Sequence, residues 1–479
     1  MNNNHLPAGT PTETLISLSS SDSRPLYRQV YERIRDAISD GTLKPGDRIP
    51  SARALAKEQG VARGTIEEAY GLLNAEGYIQ SRGQAGTFIA QVLKPAAVST
   101  PATPPATQLF SEDNWSRPPE IMPFQLGVPA LDAFPRKIWA RLGARYLRSI
   151  QPMELVYPAA EGLQSLRTAL AAYLQVARGI QCTAANIFIT SGYINSLQLV
   201  LQTLLSAGDQ VWVENPGYPP SRGVLRSTGL QIAPVAVDEE GLNVAQGLQQ
   251  AAHARAAIVT PAHHSPLSVS LSLARRLQLL DWASTRQSWI IEDDYDGEYR
   301  YVSRPLPALK SLDRDGRVLY LGTFSKVLFP ALRLAYVVVP EALTDAFRRN
   351  CQIFAGHAPM MTQSIVSSFM EEGHFARHIQ RMRRLYSERR SHTLQGLQQA
   401  LGERVNFIPQ PGGMHLLARI PGCNDRELAQ RMREQGLSAQ PLSTFRVEGP
   451  VSDTLLLSFT NISSAQQAET YGRRLLALL

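Results

Sequence analysis

Cysteine is scarce in this chain: Cys182, Cys351 and Cys423 are far apart and odd in number. That argues against a disulfide framework or a clustered zinc site and suits a reducing compartment. Long apolar runs are also missing, and no segment approaches the roughly 18 apolar residues of a membrane span. The start, MNNNHLPAGTPTETLISLSSSDS, has neither a basic leader nor a sustained apolar stretch, so no signal peptide is expected and the expected location is the cytoplasm. Neither sign of charge dominates. Forty-eight Lys and Arg against 41 Asp and Glu leave +7, a mild basic excess that permits a nucleic-acid partner without requiring one.

What is present describes a globular protein of more than one domain: 479 residues, 44% hydrophobic and 19% charged. Composition shifts at residues 91–120, QVLKPAAVSTPATPPATQLFSEDNWSRPPE, where six prolines with Ala, Thr and Ser predict a semi-extended linker. The division expected is therefore a polar tail over 1–23, a compact unit over 24–90, the linker, and a large domain over 121–479. In that last part short apolar runs predict strands at 186–190, 210–214, 230–237, 256–261, 288–293 and 318–322, with helices such as 194–205 and 272–284 between them. Such alternation predicts an α/β domain around a mostly parallel sheet, with ligands gathered just beyond the strand ends.

In the compact unit Leu26, Val30, Ile34, Ala37 and Ile38 share one helical face, closed by Gly41 and a Pro-Gly turn. SARALAKEQGVARGTIEEAYGLLNAEGYI (51–79) then reads as two helices broken at QGVA, a helix-turn-helix with Ser51 capping the first. The second opens at Arg63-Gly64-Thr65, where a recognition helix reads bases. Two short strands, 77–79 and 86–89, flank a basic glycine-bearing wing, QSRGQA. The unit holds only ten basic against eight acidic residues, but a few placed arginines suffice for phosphate and base contacts. PLYRQV, GTLKPGDRIPSARALA, VARGTIEEAY and LNAEGYIQSRGQAGTFI strongly resemble the winged helix-turn-helix of GntR-type regulators. The resemblance implies a double-stranded DNA operator as partner, with Arg53, Arg63 and Thr65 contacting it from the helices and Arg82 and Gly83 from the wing.

Downstream, GTFSKVLFPALRLAY (322–336) sets Lys326 behind Thr323 and Ser325 and seven residues ahead of Arg333. Hydroxyls after a strand and a fixed-charge guanidinium fork suit a phosphate. SGYINSLQLV (191–200) adds a strand–glycine–helix junction at Gly192 and Tyr193, whose free backbone N–H groups suit the same anion. IIEDDYDGEYRY (290–301) ordinarily means a solvated acidic loop, yet a strand-end carboxylate also serves to pair a pyridinium nitrogen. Asp293 takes that part and Tyr295 donates to a ring oxygen, leaving Asp294 and Asp296 structural or solvent-facing. Tyr218 in ENPGYPP either stacks on a ring or fills a turn beside prolines. An amine, a phosphate cradle, an acid for a ring nitrogen and a stacking aromatic are the parts a pyridoxal phosphate site needs.

Taken in order these segments resemble fold-type I aminotransferases over about residues 120–479. With the reader upstream the chain resembles the MocR/GabR-type regulators, a GntR-type reader fused to an aminotransferase-like domain. VYPAAEGLQSLRTALAAYL, EEGHFARHIQRMRRLYSERR and PGGMHLL add to the match. The resemblance implies pyridoxal 5'-phosphate as cofactor, with Lys326 as its Schiff-base lysine, Asp293 on the pyridine nitrogen, Tyr295 on the 3-oxygen and Tyr218 stacking. It puts Thr323, Ser325, Arg333, Gly192 and Tyr193 at the phosphate. Tyr157 matches a position that reaches the partner subunit's phosphate, which implies a homodimer.

Two departures qualify the match. A Pro-Thr-Gly-like turn is replaced by AHHSPLSVS, in which His263 keeps a polar contact to the cofactor. No third ligand stands at useful spacing from His263 and His264, so no metal site is expected. Near the C-terminus, Leu456 in TLLLSFTNIS stands where aminotransferases place the arginine that clamps a substrate carboxylate. A regulator sensing an amine, an amino acid or vitamin B6 itself is therefore expected ahead of an active aminotransferase with an appended reader, and little steady turnover is expected.

Overall fold

Apolar residues three and four apart close the N-terminal unit around one small core. In order it holds α1 (Leu26–Ser39), β1 (Arg48–Ile49), α2 (Ala52–Gln59), α3 (Arg63–Ala75), β2 (Ile79–Ser81) and β3 (Thr87–Ile89). Val30, Ile34 and Ala37 of the expected α1 face are buried and Tyr31 joins them, while Leu26 stays exposed. They meet Leu55 of α2 and Ile66, Ala69, Tyr70 and Leu73 of α3. Ser51 accepts a hydrogen bond from the Ala54 N–H at 3.2 Å, a cap contributing about 1 kcal/mol. Gly60, at φ 65°, ends α2 in the left-handed conformation that lets α3 depart at once. The wing is antiparallel in the order β1-β3-β2; its third strand, Arg48–Ile49, was not among those expected.

The computed structural model describes residues 22, 24–90, 120–301, 307–354 and 358–479. The chain divides into Met1–Trp115 and Ser116–Leu479. The tail expected over 1–23 and the linker expected over 91–120 lie outside the described residues apart from Asp22 and Glu120.

In the second unit α4 (Arg136–Ser149) and α5 (Gln164–Arg178) precede an α/β run: β4 (Ile187–Thr190), α6 (Tyr193–Leu204), β5 (Gln210–Asn215), α7 (Pro219–Ser227), β6 (Gln231–Asp238), β7 (Gly241–Leu242), α8 (Val244–Ala251), β8 (Ala256–Val259), α9 (Leu273–Arg286), β9 (Trp289–Asp294), β10 (Val318–Thr323) and β11 (Ala335–Val338). The eight strands form one sheet in the order β4-β11-β10-β9-β8-β5-β6-β7. Pairing is parallel from β10 through β6 and antiparallel at β11 and β7. Alternate residues bury opposite faces. Ile187 and Ile189 face α5 and a later helix, α11 (Met360–Glu371), whereas Phe188, Ile291 and Leu321 face α6 and α10 (Thr344–Phe354). Sheets covered on both sides read as continuous apolar runs, and these strands do.

A second, four-stranded antiparallel sheet is built from β12 (Asn406–Ile408), β13 (His415–Arg419), β14 (Gln440–Pro441) and β15 (Thr454–Ser458), in the order β12-β13-β15-β14. It shares a core with α12 (His374–Leu401), α13 (Asp425–Glu434) and α14 (Ala465–Leu476). Helices α12 and α14 touch at Gly396, where a methyl group would stand 2.1 Å from the Ala465 carbonyl oxygen.

Candidate functional site

On the reader, α3 begins at Arg63 because Ala62 is still extended. Arg63 is exposed and pairs with Glu67 one turn on, at 2.7 Å. Arg53 on α2 is exposed and Thr65 is half-buried. In the wing, Arg82 lies over the Phe88 ring, 5.1 Å from its centroid, and exposed Gly83 starts the tip at φ 59°.

In the second unit the C-terminal ends of β4, β5, β8, β9 and β10 share one edge of the large sheet, and the start of β11 lies there too because β11 runs the opposite way. Gly192 follows β4 and caps α6 at φ 115°. Arg333 immediately precedes β11 in a left-handed conformation, φ 49°. The two meet: a methyl group on Gly192 would stand 3.3 Å from the guanidinium carbon of Arg333. A helix N-terminus and an arginine fork therefore face one space, an arrangement suited to an anion. Thr323 ends β10, and its hydroxyl accepts from the Ser325 N–H at 3.2 Å. Lys326 donates from Nζ to the Gly127 carbonyl oxygen at 3.1 Å.

Asp293 is the penultimate residue of β9, beside Leu321 of β10. Burial foremost, then the neighbouring Asp294, raises its carboxyl well above the usual range; a hydrogen bond with Tyr193 works the other way. A buried acid in that state is relieved by a cation placed against it. Tyr193 also bonds Ser221 at 2.9 Å and meets the half-exposed Tyr218 edge to face at 5.8 Å. Tyr193, Tyr218, Ser221, Glu214, Thr260 and Asp293 line one pocket.

Tyr295 sits beyond Asp293. Its phenol is raised by burial and then by Asp296 and Asp293, so it keeps its hydrogen. His263 Nδ1 lies 3.0 Å from the Tyr295 hydroxyl and 3.0 Å from Asp296. Tyr157, by contrast, is 95% exposed, on a segment where Met153, Leu155 and Val156 are exposed as well.

The expectation that Asp294 and Asp296 are structural or solvent-facing narrows to the first alternative, since both are buried. Asp294 pairs with the buried Arg178 at 2.8 Å and accepts from Tyr320 at 2.5 Å. Arg178 also lies 3.5 Å from Glu298 and donates to the Gly297 carbonyl at 2.9 Å. Sequence reasoning missed Arg178, which reads as an ordinary cation in the last turn of α5. It missed Glu214 too. Buried Glu214 accepts from the Thr260 N–H at 3.0 Å and hydroxyl at 2.6 Å, and burial pushes its carboxyl up to about 7.

Leu456 is wholly buried in β15, opposite Leu417, within an apolar cluster that includes Leu442, Phe445, Leu126 and Leu267. A carboxylate finds no cation at that side chain.

Residues 26–89 match the family described as bacterial regulatory proteins, gntR family, and residues 120–469 match aminotransferase class I and II. The chain is 34% identical over 456 residues to the probable rhizopine catabolism regulatory protein MocR of Rhizobium meliloti, covering 93% of this chain and 92% of that one. It is 32% identical over 435 residues to the HTH-type pyridoxine biosynthesis transcriptional regulator PdxR of Corynebacterium glutamicum, covering 90% and 91%. Among solved structures, LysN, the α-aminoadipate aminotransferase of Thermus thermophilus complexed with N-(5'-phosphopyridoxyl)-L-leucine, superposes with a TM-score of 0.68 at 30% identity. That match covers 75% of this chain and 92% of that one.

Proposed function

The chain belongs to the MocR/GabR-type transcriptional regulators, a GntR-type winged helix-turn-helix joined to an aminotransferase-like domain, and from that premise we propose that it binds pyridoxal 5'-phosphate and sets operator affinity by the ligand state of that site. One observation carries the reading: Asp293 is a buried acid, raised well above its usual range and bordered by further acids, on the strand beside the one that leads to Lys326. A protonated ring nitrogen supplies a cation against that acid.

In this reading Lys326 offers the amine, Asp293 pairs the ring nitrogen, Tyr295 donates to the ring's 3-oxygen and Tyr218 covers one ring face. Gly192, Tyr193, Thr323, Ser325 and Arg333 hold the phosphate, supported by the close approach of Gly192 and the Arg333 guanidinium, which a single methyl group would crowd. When bound, the cofactor supplies a carbon that amines attack and a ring that withdraws electrons. Tyr157 serves the partner subunit's phosphate in a homodimer, for which the exposed apolar segment around it is support.

The effector is an amine, an amino acid or the vitamin itself. Leu456, buried among leucines, favours a ligand that needs no carboxylate clamp. Ligand binding shifts operator affinity only through contacts that differ between two states of the protein. The test is an absorbance titration of the full-length protein with cofactor and candidate amines, run beside DNA binding. Uptake of one cofactor, fixed onto Lys326 by borohydride, is expected; a colourless protein that takes up none overturns the reading. Turnover as an aminotransferase is the second reading, favoured by the match of residues 120–469 to aminotransferase class I and II. Steady keto-acid formation from an amino acid at ordinary enzyme rates decides for it.

A further inference from the structure

We infer that His263 and Asp296 are positioning residues that fix the direction of the Tyr295 hydroxyl hydrogen, and through it the hydrogen bond Tyr295 offers the cofactor ring; the inference rests on the cofactor reading above. His263 leaves the end of β8, and Tyr295 and Asp296 leave the end of β9, so neighbouring parallel strands bring the trio together. His263 Nδ1 stands 3.0 Å from the Tyr295 oxygen and 3.0 and 3.1 Å from the two Asp296 oxygens. All three residues lie in or beside the buried floor of the sheet edge, with Asp296 only 1% exposed.

A carboxylate accepts hydrogen bonds and donates none. Two of its oxygens facing one ring nitrogen therefore require the hydrogen to sit on that nitrogen. A bare Nδ1 would set its lone pair against theirs. Asp296 thus holds a hydrogen on Nδ1. The ring has no room to swing away. On its far edge lies the Gly413 α-carbon, at φ 86°, where a methyl group would stand 2.2 Å from Cε1 and 2.6 Å from Nε2. Nε2 has no hydrogen-bond partner among the described residues.

The consequence falls on Tyr295. With the hydrogen on Nδ1, the phenol oxygen meets a donor on the histidine side, as it does at Ser265, and its own hydrogen is directed away from both, with the Asp296 carboxylate as its resident acceptor until a ring oxygen is offered. With the other tautomer, Nδ1 accepts, and the phenol hydrogen turns inward to histidine. Asp296 and His263 thus decide which way Tyr295 donates. The titratable groups facing the trio are Asp293 beside Tyr295, His264 and His415 beside His263, and Tyr301 beside Asp296. Burial holds His264 down at about 3 and His415 at about 4, so neither gains charge in the neutral range.

The experiment is a pH titration of the visible absorbance of the full-length protein loaded with pyridoxal phosphate. The proton followed is the one shared between the Lys326 nitrogen and the ring's 3-oxygen. A donor at that oxygen weakens its hold on the proton, so loss of the donor raises the midpoint. Asp296→Asn and His263→Leu are each expected to raise it by about one pH unit, as Tyr295→Phe does. Adding Asp296→Asn to Tyr295→Phe is expected to move it no further. His263→Asn, whose amide nitrogen replaces the Nδ1 donor, is expected to keep the wild-type midpoint. Should Asp296→Asn fail to fold, the two His263 variants carry the same comparison. A midpoint unmoved by Asp296→Asn or His263→Leu while Tyr295→Phe shifts it, or full additivity in the double variant, overturns the inference with the cofactor reading intact. A wild-type protein that takes up no cofactor overturns both.

Discussion

The guanidinium of Arg333 closes on the α-carbon of Gly192, so near that a methyl group there would stand 3.3 Å from its central carbon. Residues far apart in the chain thereby bring a helix N-terminus and a five-donor fork side by side at one edge of the sheet.

Crowding or blunting that pair weakens the site. Gly192→Val adds bulk against the guanidinium and forces a β-branched residue to φ 115°. Arg333→Lys replaces a fork by a point charge. Each is expected to weaken pyridoxal phosphate binding about tenfold or more, measured by equilibrium dialysis, with a thermal melt to confirm that the fold survives.

Arg63 pairs with exposed Glu67 at the start of α3, and exposed pairs of this kind contribute under about 1 kcal/mol. Arg63→Ala is expected to leave the melting temperature and cofactor spectrum unchanged while weakening operator binding. Where the contact is to phosphate, the salt dependence of binding falls by about one unit of slope; where it is to a base, discrimination among operator variants falls instead. Unchanged DNA affinity at all salt concentrations counts against the recognition-helix assignment.

Arg178 is 2% exposed and stands between Asp294 and Glu298. Arg178→Met leaves two buried acids facing each other, a change that costs about 3–5 kcal/mol. Chemical denaturation of the aminotransferase-like unit within the full chain measures it. Because the same arginine holds the Gly297 carbonyl, the loop carrying Asp293 and Tyr295 loosens with it, and cofactor affinity is expected to fall in parallel.

Glu214 has a folded-state value of about 7 against an ordinary 4.5. The folded protein therefore binds the more protons between those values, and the contribution of this group to stability is complete below about 4.5 and lost as pH rises through about 7. Glu214→Gln removes the titration yet keeps both partners: its oxygen accepts from the Thr260 N–H and its amide donates to the Thr260 hydroxyl. The variant is expected to match the wild type at pH 4.5 and to exceed it by about 3 kcal/mol above pH 7. Parallel stability curves for the two proteins across that range overturn the assignment.

The reader was legible because its signals are local: Ser51 as a cap, Gly60 as a break and apolar spacing in α1 all act within a few residues. The parallel strands were legible for a related reason, since burial on both faces leaves uninterrupted runs such as WII and VLYLG. β11 was not singled out, although AYVV is as apolar, because it stood inside a stretch read for its lysine and arginine. The DDYD run shows where reading stops. Its acids look alike in sequence, and what separates Asp294 from Asp296 is a partner far along the chain, Arg178 for one and His263 for the other. No spacing rule joins such pairs; the fold does.

The reversed strand β11 also explains a matter of distance along the chain. A parallel successor to β10 would need a crossover of a dozen or more residues before returning to the same edge. The antiparallel β11 returns along residues 324–334, so Lys326 and Arg333 stand on a single connection. The group proposed to hold the reactive end of a ligand and the group proposed to hold its anionic end therefore ride on one connection, and a displacement of that connection would move both together.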